Sequence, residues 1–333
     1  MKVLLTGGTG FIGRPLAARL VARGWEVVAL VRRPASVEAA ELAALGARLT
    51  PGDVTDPAAV RAAMTGAERV VHNAGWYEFG LRREAAASMR AVNVDGTETV
   101  LATAAALGVA RAVHVSSIVA FGPTGRLVAD ETFERRVRPG TVYEATKAEA
   151  HEIARRWQAR GLPLVIACPA GVIGPGDHSS VGHLARWYLR HRLPPGLLPR
   201  GSRAIVHVDD VAEAIALAAE RGRDGESYIL AGGNESLREM HRRWTRFPGG
   251  SRRWLALPRP LAAAACAVAE PVQRLFGWPV VLSREVLATG CEDYLYSGAK
   301  AERELGIRCR DPDSAWRDTL TAELARRCGG APR

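Results

Sequence analysis

The sequence has few of the features that mark membrane, secreted or disulfide-bonded proteins. Its longest charge-free apolar stretch in the C-terminal half, Leu261 to Ala269, is less than half of the roughly 20 residues that span a bilayer. The first residues hold only a short apolar run before glycine, so we expect no secretory signal peptide. The five cysteines are scattered and form no C-x-x-C pair, so we expect a cytoplasmic protein without disulfides or a metal site.

Long repeats and low-complexity linkers are also lacking, which excludes solenoid and fibrous proteins. The 333 residues are 47% hydrophobic and 24% charged, the balance of an ordinary globular protein. A net charge of +10 raises nucleic acid or an anionic membrane as a partner. We expect no nucleic acid, because the sequence contains no nucleic-acid-binding motif. The basic stretch from Arg238 to Arg259 could contact a membrane, although a solvated helical face is the favoured interpretation.

Short β-branched runs alternate with alanine-rich helical stretches along the first half of the chain. The pattern predicts strands at 3–6, 26–31, 69–72, 111–116 and 164–168, and helices at 11–23, 36–45, 84–107 and 144–160. Such alternation predicts a doubly wound α/β fold, a parallel sheet with helices on both faces. We expect this domain over residues 1–168, completed by parts of 200–232. Residues 169–333 are predicted to form a smaller, mostly helical lobe that shapes a substrate cleft and includes a helix at Val208–Arg221.

The first predicted strand ends in a glycine-rich turn that opens a helix, Thr6-Gly7-Gly8-Thr9-Gly10-Phe11-Ile12-Gly13. In such a turn Gly7 permits the tight bend, Gly10 lets a pyrophosphate approach the backbone, and Gly13 lets helix and strand pack closely. The helix N-terminus adds N–H donors and positive potential. We therefore predict that this turn binds a dinucleotide.

The end of the second predicted strand indicates which dinucleotide is bound. An acid there accepts hydrogen bonds from the ribose of NAD, whereas an arginine pairs with the 2′-phosphate of NADP. Arg32 and Arg33 stand at that end and no acid does, which favours NADP(H) and leaves NAD(H) open. Farther on, Asp53 could accept from the adenine amino group or cap the next helix, a role that Asp56 fits better.

Tyr143 and Lys147 stand four residues apart on a predicted helix, so the phenol and the ammonium project from one face. A phenol of pKa about 10 is a poor acid–base catalyst at neutral pH, and a nearby cation lowers that pKa. Ser116 and Ser117 end an upstream strand, and a serine hydroxyl can donate to an oxygen on which negative charge develops. These residues predict proton transfer at a substrate oxygen.

Together these motifs resemble the extended short-chain dehydrogenase/reductase family, of the NAD-dependent epimerase/dehydratase type, in its dihydroflavonol-reductase-like and 3β-hydroxysteroid-dehydrogenase-like branch. The resemblance covers Met1 to about Leu230 and implies a Rossmann-type fold. Besides the glycine turn it rests on His72-Asn73-Ala74-Gly75, Asn93-Val94-Asp95-Gly96-Thr97, His114-Val115-Ser116-Ser117, Tyr143-Glu144-Ala145-Thr146-Lys147, Cys168-Pro169-Ala170-Gly171-Val172-Ile173-Gly174-Pro175-Gly176-Asp177 and Val206-His207-Val208-Asp209-Asp210-Val211.

The resemblance implies roles for the residues that match these motifs. Tyr143 would be the general acid/base, Lys147 would bind the nicotinamide ribose, and Ser117, in preference to Ser116, would be the catalytic serine. Asn73 departs from the small residue common at its position, which leaves its role open, and the His207 segment would be structural and bind no metal. With the residues derived above, the predicted cofactor contacts are Gly7, Thr9, Gly10, Phe11, Ile12, Gly13, Arg32, Arg33, Asp53, Val54, Asn73, Ala74, Gly75, Asn93, Ser116, Tyr143, Lys147, Pro169, Ala170, Gly171 and Val172.

We therefore predict an NADP(H)-dependent oxidoreductase that interconverts a carbonyl compound and a secondary alcohol. A nucleotide-sugar epimerase or dehydratase, and a non-catalytic NADP-sensing module, stay open as alternatives. The predicted contacts of the small-molecule substrate are Trp76, Tyr77, Ile118 and His178. The sequence does not decide whether the chain forms a homodimer; the resemblance would locate such pairing on the helices at 84–107 and 144–160.

Overall fold

The computed structural model describes residues 1–79, 81, 83–192, 200–249, 258–278, 280 and 282–328. Its strands are β1 (Lys2–Thr6), β2 (Glu26–Val31), β3 (Arg48–Pro51), β4 (Arg69–His72), β5 (Arg111–Val115), β6 (Leu164–Pro169), β7 (Gly171–Ile173), β8 (Ser202–His207), β9 (Ser227–Leu230) and β10 (Gly233–Ser236). Its helices are α1 (Gly13–Ala22), α2 (Val37–Ala44), α3 (Pro57–Met64), α4 (Arg83–Arg90), α5 (Gly96–Leu107), α6 (Val142–Ala159), α7 (Ser180–Leu189), α8 (Val208–Arg221), α9 (Leu237–Trp244), α10 (Arg259–Leu275), α11 (Arg284–Gly290), α12 (Ala299–Leu305) and α13 (Pro312–Cys328). A π-helical turn, Ala91–Asp95, joins α4 to α5, and a 3₁₀ turn follows β5 at Ile118–Ala120.

A large parallel sheet has the strand order β3-β2-β1-β4-β5-β6-β9. On one side α1 packs beside α8, and elsewhere α5 packs between α3 and α6, so helical layers cover the sheet. The inner strands are accordingly apolar throughout, and every residue of β6 is buried. The order reverses between β1 and β4, and sheets of this kind bind ligands at the carboxyl ends of the strands beside that point. The predicted Rossmann-type, doubly wound fold is confirmed.

A smaller sheet lies beyond the end of β6, in the order β10-β8-β7. β8 pairs in parallel with β7 and in antiparallel with β10. A second hydrophobic core packs here, and its largest buried side chains are Tyr188, Trp244 and Trp316 from α7, α9 and α13. The mostly helical C-terminal region is present as predicted, whereas the small sheet was not predicted.

The helix predicted over 84–107 is interrupted in the structure. It consists of α4, the π turn at Ala91–Asp95 and α5, so one extra residue is accommodated where Asn93 turns inward. Other helix boundaries agree closely with the prediction. Helix α8 has its predicted bounds. Ser36, the first residue of the helix predicted over 36–45, caps α2 by accepting a hydrogen bond from the backbone N–H of Ala39.

Only the first part of the basic stretch at 238–259 forms a helical face in the described structure. Its first part is α9, which begins with a capping box between Ser236 and Glu239 and buries Trp244 completely. Residues 250–257 lie outside the described residues. Among the described helices, none is both long enough and apolar enough to cross a bilayer.

Candidate active site

A cleft of about 720 Å³ opens at the carboxyl ends of β1, β4, β5 and β6. Four predicted contacts in the described part of the chain do not line this cleft: Gly13, Arg33, Asn93 and Lys147. The other predicted site residues do: Gly7, Thr9, Gly10, Phe11, Ile12, Arg32, Asp53, Val54, Asn73, Ala74, Gly75, Trp76, Tyr77, Ser116, Ser117, Ile118, Tyr143, Pro169, Ala170, Gly171, Val172 and His178.

The glycine turn is built for close approach between backbones. Gly7 has φ +67°, and a Cβ there would lie 2.7 Å from the backbone of Ala74 at the end of β4. A Cβ on Gly13 would lie 2.1 Å from the carbonyl oxygen of Gly7, so Gly13 is required for packing although it does not line the cleft. Ile12 provides no side-chain cap to α1, but the Arg14 N–H already donates to the carbonyl of Gly10 over 3.1 Å and Pro15 has no N–H. A ligand at this end of α1 would therefore be received by the N–H of Gly13. This cradle fits the pyrophosphate of a dinucleotide.

Arg32 and Asp53 line the end of the cleft where β2 and β3 finish. The Arg32 side chain is 68% exposed, and its Nε lies 3.9 Å from Oδ2 of Asp53. Asp53 Oδ1 accepts hydrogen bonds from the N–H and hydroxyl of Thr55, whereas Asp56 caps α3 by accepting from Ala58 and Ala59. The helix cap is therefore Asp56, and the second oxygen of Asp53 faces Arg32. Arg33 is exposed outside the cleft lining.

Tyr143 stands in the first turn of α6, which Thr141 caps by accepting a hydrogen bond from the N–H of Glu144. Burial raises the pKa of Tyr143 to about 12, and the nearby Ser117 hydroxyl acts in the opposite direction. One turn later, the Lys147 ammonium donates to the carbonyl of Val115 over 2.9 Å. Burial lowers the pKa of Lys147 to about 8. The lowering of the phenol pKa by Lys147 stays a prediction.

Three buried histidines lie in the layer behind Lys147. Burial, and next the charge of Lys147, lowers the pKa of His72 to about 3 and holds that of His114 well below its usual value. Burial lowers the pKa of His151 to about 4, and its Nδ1 lies 2.9 Å from the hydroxyl of Ser116. These imidazoles are neutral at neutral pH, so Lys147 is the cation of this layer. The Ser116 hydroxyl is bound to His151, whereas the Ser117 hydroxyl accepts from the N–H of Val119 over 3.4 Å and lines the cleft with Tyr143.

Asn93 and Asn73 hold the loop and the turn that border the cleft. In the π turn, Asn93 Oδ1 accepts from the N–H of Trp76, and its Nδ2 donates to the Trp76 carbonyl and to Thr146 Oγ1. Asn73 Nδ2 donates to the carbonyl of Gly7 over 3.1 Å. The role of Asn73 that the sequence left open is thus a contact between β4 and the glycine turn.

Aromatic rings surround Tyr143 at the substrate end of the cleft. The Tyr77 ring meets Tyr143 edge-on at 4.8 Å between centroids, and Phe79 does so at 6.1 Å. The Trp76 indole donates to the carboxylate of Glu78 over 2.9 Å. His178 packs edge-on against Phe11 of the glycine turn. Of the predicted pair Trp76 and Tyr77, Tyr77 is the one in contact with Tyr143.

Arg203 is a cleft residue that the sequence analysis missed. It lies on β8, is partly buried, and its Nε has no hydrogen-bond partner among the described residues. In register opposite it, Glu235 on β10 is bound instead by Arg243 and by the indole of Trp316. A lone arginine in the apolar strand Ser-Arg-Ala-Ile-Val-His was the available signal. A partly buried guanidinium without a partner can receive an anionic group.

His207, beside Asp209 and Asp210, has a structural role where β8 ends and α8 begins. Its Nδ1 accepts from the N–H of Asp209, and Arg310 bridges His207 and Asp210. The described residues contain no cluster of three or more histidine, cysteine, aspartate or glutamate side chains that could hold a metal ion.

The sequence model of the NAD dependent epimerase/dehydratase family matches residues 3–231, more than half of the chain. The chain belongs to this family. It is an extended short-chain dehydrogenase/reductase, as its motifs indicated. Because relatives in the family are reductases and dehydratases, the chain is an enzyme.

Two curated relatives and one solved structure illustrate the range of the family. Sterol demethylase protein B of Methylococcus capsulatus is 32% identical over 281 residues, 83% of this chain and 83% of that protein. A 2-alkyl-3-oxoalkanoate reductase of Stenotrophomonas maltophilia is 32% identical over 327 residues, 92% of this chain and 94% of that protein. The crystal structure of DesIV, a dTDP-glucose 4,6-dehydratase of Streptomyces venezuelae with NAD bound, superposes with a TM-score of 0.74 at 25% identity, covering 100% of this chain and 99% of that one.

Proposed function

We propose that this enzyme is an NADP(H)-dependent oxidoreductase that interconverts a carbonyl compound and a secondary alcohol. The observation that carries the proposal is that Ser117 and the partly buried Tyr143 line one cleft, which continues to the glycine turn. A proton donor, a second hydroxyl and a dinucleotide cradle in one cleft are what carbonyl reduction needs. A bound nicotinamide dinucleotide would supply or accept the hydride.

Tyr143 would donate the proton in the reductive direction. With a pKa raised to about 12, its phenol is protonated at neutral pH and holds a proton for the carbonyl oxygen. The Ser117 hydroxyl would donate a hydrogen bond to the same oxygen as negative charge develops there. In the oxidative direction Tyr143 Oη would take the proton of the alcohol.

Lys147 would support this exchange through its charge and its position. It follows Tyr143 by four residues on α6, so both side chains leave the helix on one face. With its pKa lowered to about 8, the ammonium is mostly protonated at neutral pH. It would bind the nicotinamide ribose, as the resemblance implies, and favour the phenolate that forms when Tyr143 gives up its proton.

The preference for NADP(H) is supported by the residues at the ends of β2 and β3. Arg32 lines the cleft with an exposed guanidinium whose Nε faces Asp53, and its two terminal nitrogens would form hydrogen bonds with a 2′-phosphate. The position that would carry a ribose-binding acid is Val31. The family itself is described as NAD dependent, so the proposal concerns the preference between the two cofactors.

A substrate with an apolar body suits the aromatic surroundings of Tyr143. Tyr77 and Phe79 contact it, and the apolar side chains of Leu184, Met240 and Val286 also line the cleft. The names of two relatives, sterol demethylase protein B and 2-alkyl-3-oxoalkanoate reductase, are in keeping with such a substrate.

Arg203 favours a second candidate function, nucleotide-sugar epimerase or dehydratase. Its unpartnered guanidinium in the cleft suits a diphosphate, and the name of the structurally similar DesIV contains a nucleotide sugar. Turnover of a panel of ketones, aldehydes and nucleotide sugars, with NADPH and NADH, separates the two candidates.

Replacement of Tyr143 by Phe tests the proton donor. We expect kcat to fall about 10²- to 10⁴-fold, because the hydride acceptor loses its proton source, while NADPH affinity changes little. NADPH consumption and intrinsic cofactor fluorescence measure the two quantities. Tyr77→Phe is the matched control, since its ring contacts Tyr143; an equal loss in both variants would contradict the assignment.

Single replacements of Arg32 and Arg33 by Ala test the cofactor preference. Arg32→Ala should weaken NADPH roughly tenfold to a hundredfold, the loss of charge-assisted hydrogen bonds, and leave NADH unchanged. Arg33→Ala should have the smaller effect because that side chain does not line the cleft. Equal loss of NADPH and NADH affinity in Arg32→Ala would show that the 2′-phosphate is not its ligand.

A further inference from the structure

The outward side of α10 is apolar along its whole length. Large apolar side chains are exposed at Leu261, Val268, Val272 and Leu275, and Phe276 and Trp278 continue the surface beyond the helix end. Leu275 is 80% exposed, Val268 69% and Phe276 62%. We call these six residues the α10 face. Single exposed apolar residues are ordinary, but a contiguous surface of this kind on a globular protein marks a binding site.

The spacing of these residues is helical, so the α10 face is one continuous surface. Residues 261, 268, 272 and 275 are separated by seven, four and three positions, and the exposed residues between them, Ala264 and Pro271, are small or apolar as well. The aromatic rings of Phe276 and Trp278 stack at 5.2 Å and stay exposed. The apolar side of α10, which a helix in a globular protein normally buries, is therefore exposed to solvent.

The inner side of α10 is fastened to the wall of the cleft. Ala262, Cys266 and Gln273 are buried there. The Gln273 amide donates to the carbonyl of Leu282 over 2.8 Å and accepts from the N–H of Leu282 over 3.1 Å. Residue 282 leads directly into α11, which lines the cleft with Val286 and Thr289. The α10 face is thus the outer surface of the layer whose inner surface borders the substrate.

We propose that the α10 face docks on the surface of an anionic lipid bilayer. The chain carries a net charge of +10, which attracts an anionic surface and repels a second copy of itself. The charged side chains described on α10, Glu270 and Arg274, pair with each other at 2.7 Å, so the apolar surface holds no unpaired acid to oppose such contact. Exposed Trp and Phe rings at the helix end are the side chains that favour the bilayer interface.

Flotation of the full-length protein with vesicles tests the proposal. The wild type should float with phosphatidylcholine vesicles that contain phosphatidylglycerol, and much less with phosphatidylcholine alone or at high salt. Leu275→Glu should lower the partition coefficient onto anionic vesicles roughly tenfold, because a charge then enters the apolar contact. Leu127→Glu is the matched control, an exposed leucine elsewhere that should bind as the wild type does. The double variant Phe276→Ser with Trp278→Ser should repeat the loss without adding charge.

Several outcomes would overturn the proposal. Flotation of Leu275→Glu at the wild-type level would show that the α10 face does not bind lipid. Equal binding to neutral and anionic vesicles would remove the role of the net charge. A wild-type dimer in light scattering that Leu275→Glu converts to monomers, without flotation of the wild type, would assign the face to a second copy. Thermal unfolding of both glutamate variants should match the wild type, since both leucines are exposed.

Discussion

Lys147 carries the positive charge of a layer that also contains three neutral histidines. Two of these histidines, His72 on β4 and His114 on β5, stack with their ring centroids 5.4 Å apart. Neither ring nitrogen of His114 has a hydrogen-bond partner among the described residues. Protonating any of these rings would put a second cation in the same buried layer. Because a second buried cation would repel the Lys147 ammonium and lower its pKa further, the neutral imidazoles favour the charged form of Lys147.

His151 makes the folded protein sensitive to acid. Its pKa falls from the usual 6.5 to about 4 in the folded state, so between these values the unfolded chain binds more protons. His151 therefore contributes about 3 kcal/mol to the free energy of unfolding above pH 6.5, and this contribution is lost as the pH falls toward 4. His151→Gln keeps a partner for the Ser116 hydroxyl and does not titrate. We expect a shallower loss of unfolding free energy between pH 6.5 and 4, measured by urea denaturation.

The comparison with the wild type supplies the control for this prediction. Both proteins contain the same carboxylates, so their contribution to acid unfolding cancels in the difference between the two pH profiles. Parallel profiles for wild type and His151→Gln would mean that His151 has the same pKa in the folded protein as in the unfolded chain.

At the scale of elements, local patterns predicted what local forces determine. Ser36 and Asp56 precede helices and cap them, and α8 has its predicted bounds because its apolar periodicity runs unbroken from Val208 to Arg221. The π turn at Ala91–Asp95 was not predicted, because the apolar pattern continues through it. It forms where Asn93 is drawn inward by the backbone of Trp76, a contact distant in sequence.

Asn93→Ala tests whether the π turn holds the cleft loop. We expect the free energy of unfolding to fall by about 2–3 kcal/mol, because the variant loses hydrogen bonds to the N–H and carbonyl of Trp76 and to Thr146. Amide hydrogen exchange should quicken at residues 73–79 in particular. Mass spectrometry of peptic fragments measures this exchange.

Asn234→Ala is the matched control for Asn93→Ala. Asn234 binds the N–H and carbonyl of Tyr296 in the same two-bond manner, on β10 and away from that loop. It should lower stability and leave exchange at 73–79 unchanged. Equal exchange in the two variants would mean that Asn93 acts on global stability alone.

At the scale of the molecule, the least predictable features are contacts between distant segments. β8 finds its partners at 171–173 and 233–236, and Arg203 enters the cleft only because of that pairing. The segment 291–297 is a further example. It bonds to β8 through the N–H and carbonyl of Tyr294, and to the loop after β5 through Thr124 and Ala129. No local pattern in the sequence indicates these contacts, whose formation depends on chain closure over long separations.

Tyr294 connects this segment to the helix that carries Tyr143. Its hydroxyl donates to Oε1 of Glu144 over 3.0 Å, and the Glu144 side chain is only 6% exposed. Glu144 also accepts from the N–H of Gly140, just before α6. Tyr294 itself lines the cleft, so one hydrogen bond joins the C-terminal segment, the start of α6 and the substrate site.

Tyr294→Phe should therefore weaken the molecule more than an ordinary loss of one hydroxyl. We expect the free energy of unfolding to fall by about 1.5–3 kcal/mol, because a buried carboxylate loses a donor that water cannot replace. Tyr228→Phe is the matched control, since its hydroxyl donates to Glu304, a carboxylate that solvent reaches more easily. Hydrogen exchange at 122–131 should quicken in Tyr294→Phe alone. If both variants lose equal stability and exchange there stays slow, the bond to Glu144 does not hold the segment to α6.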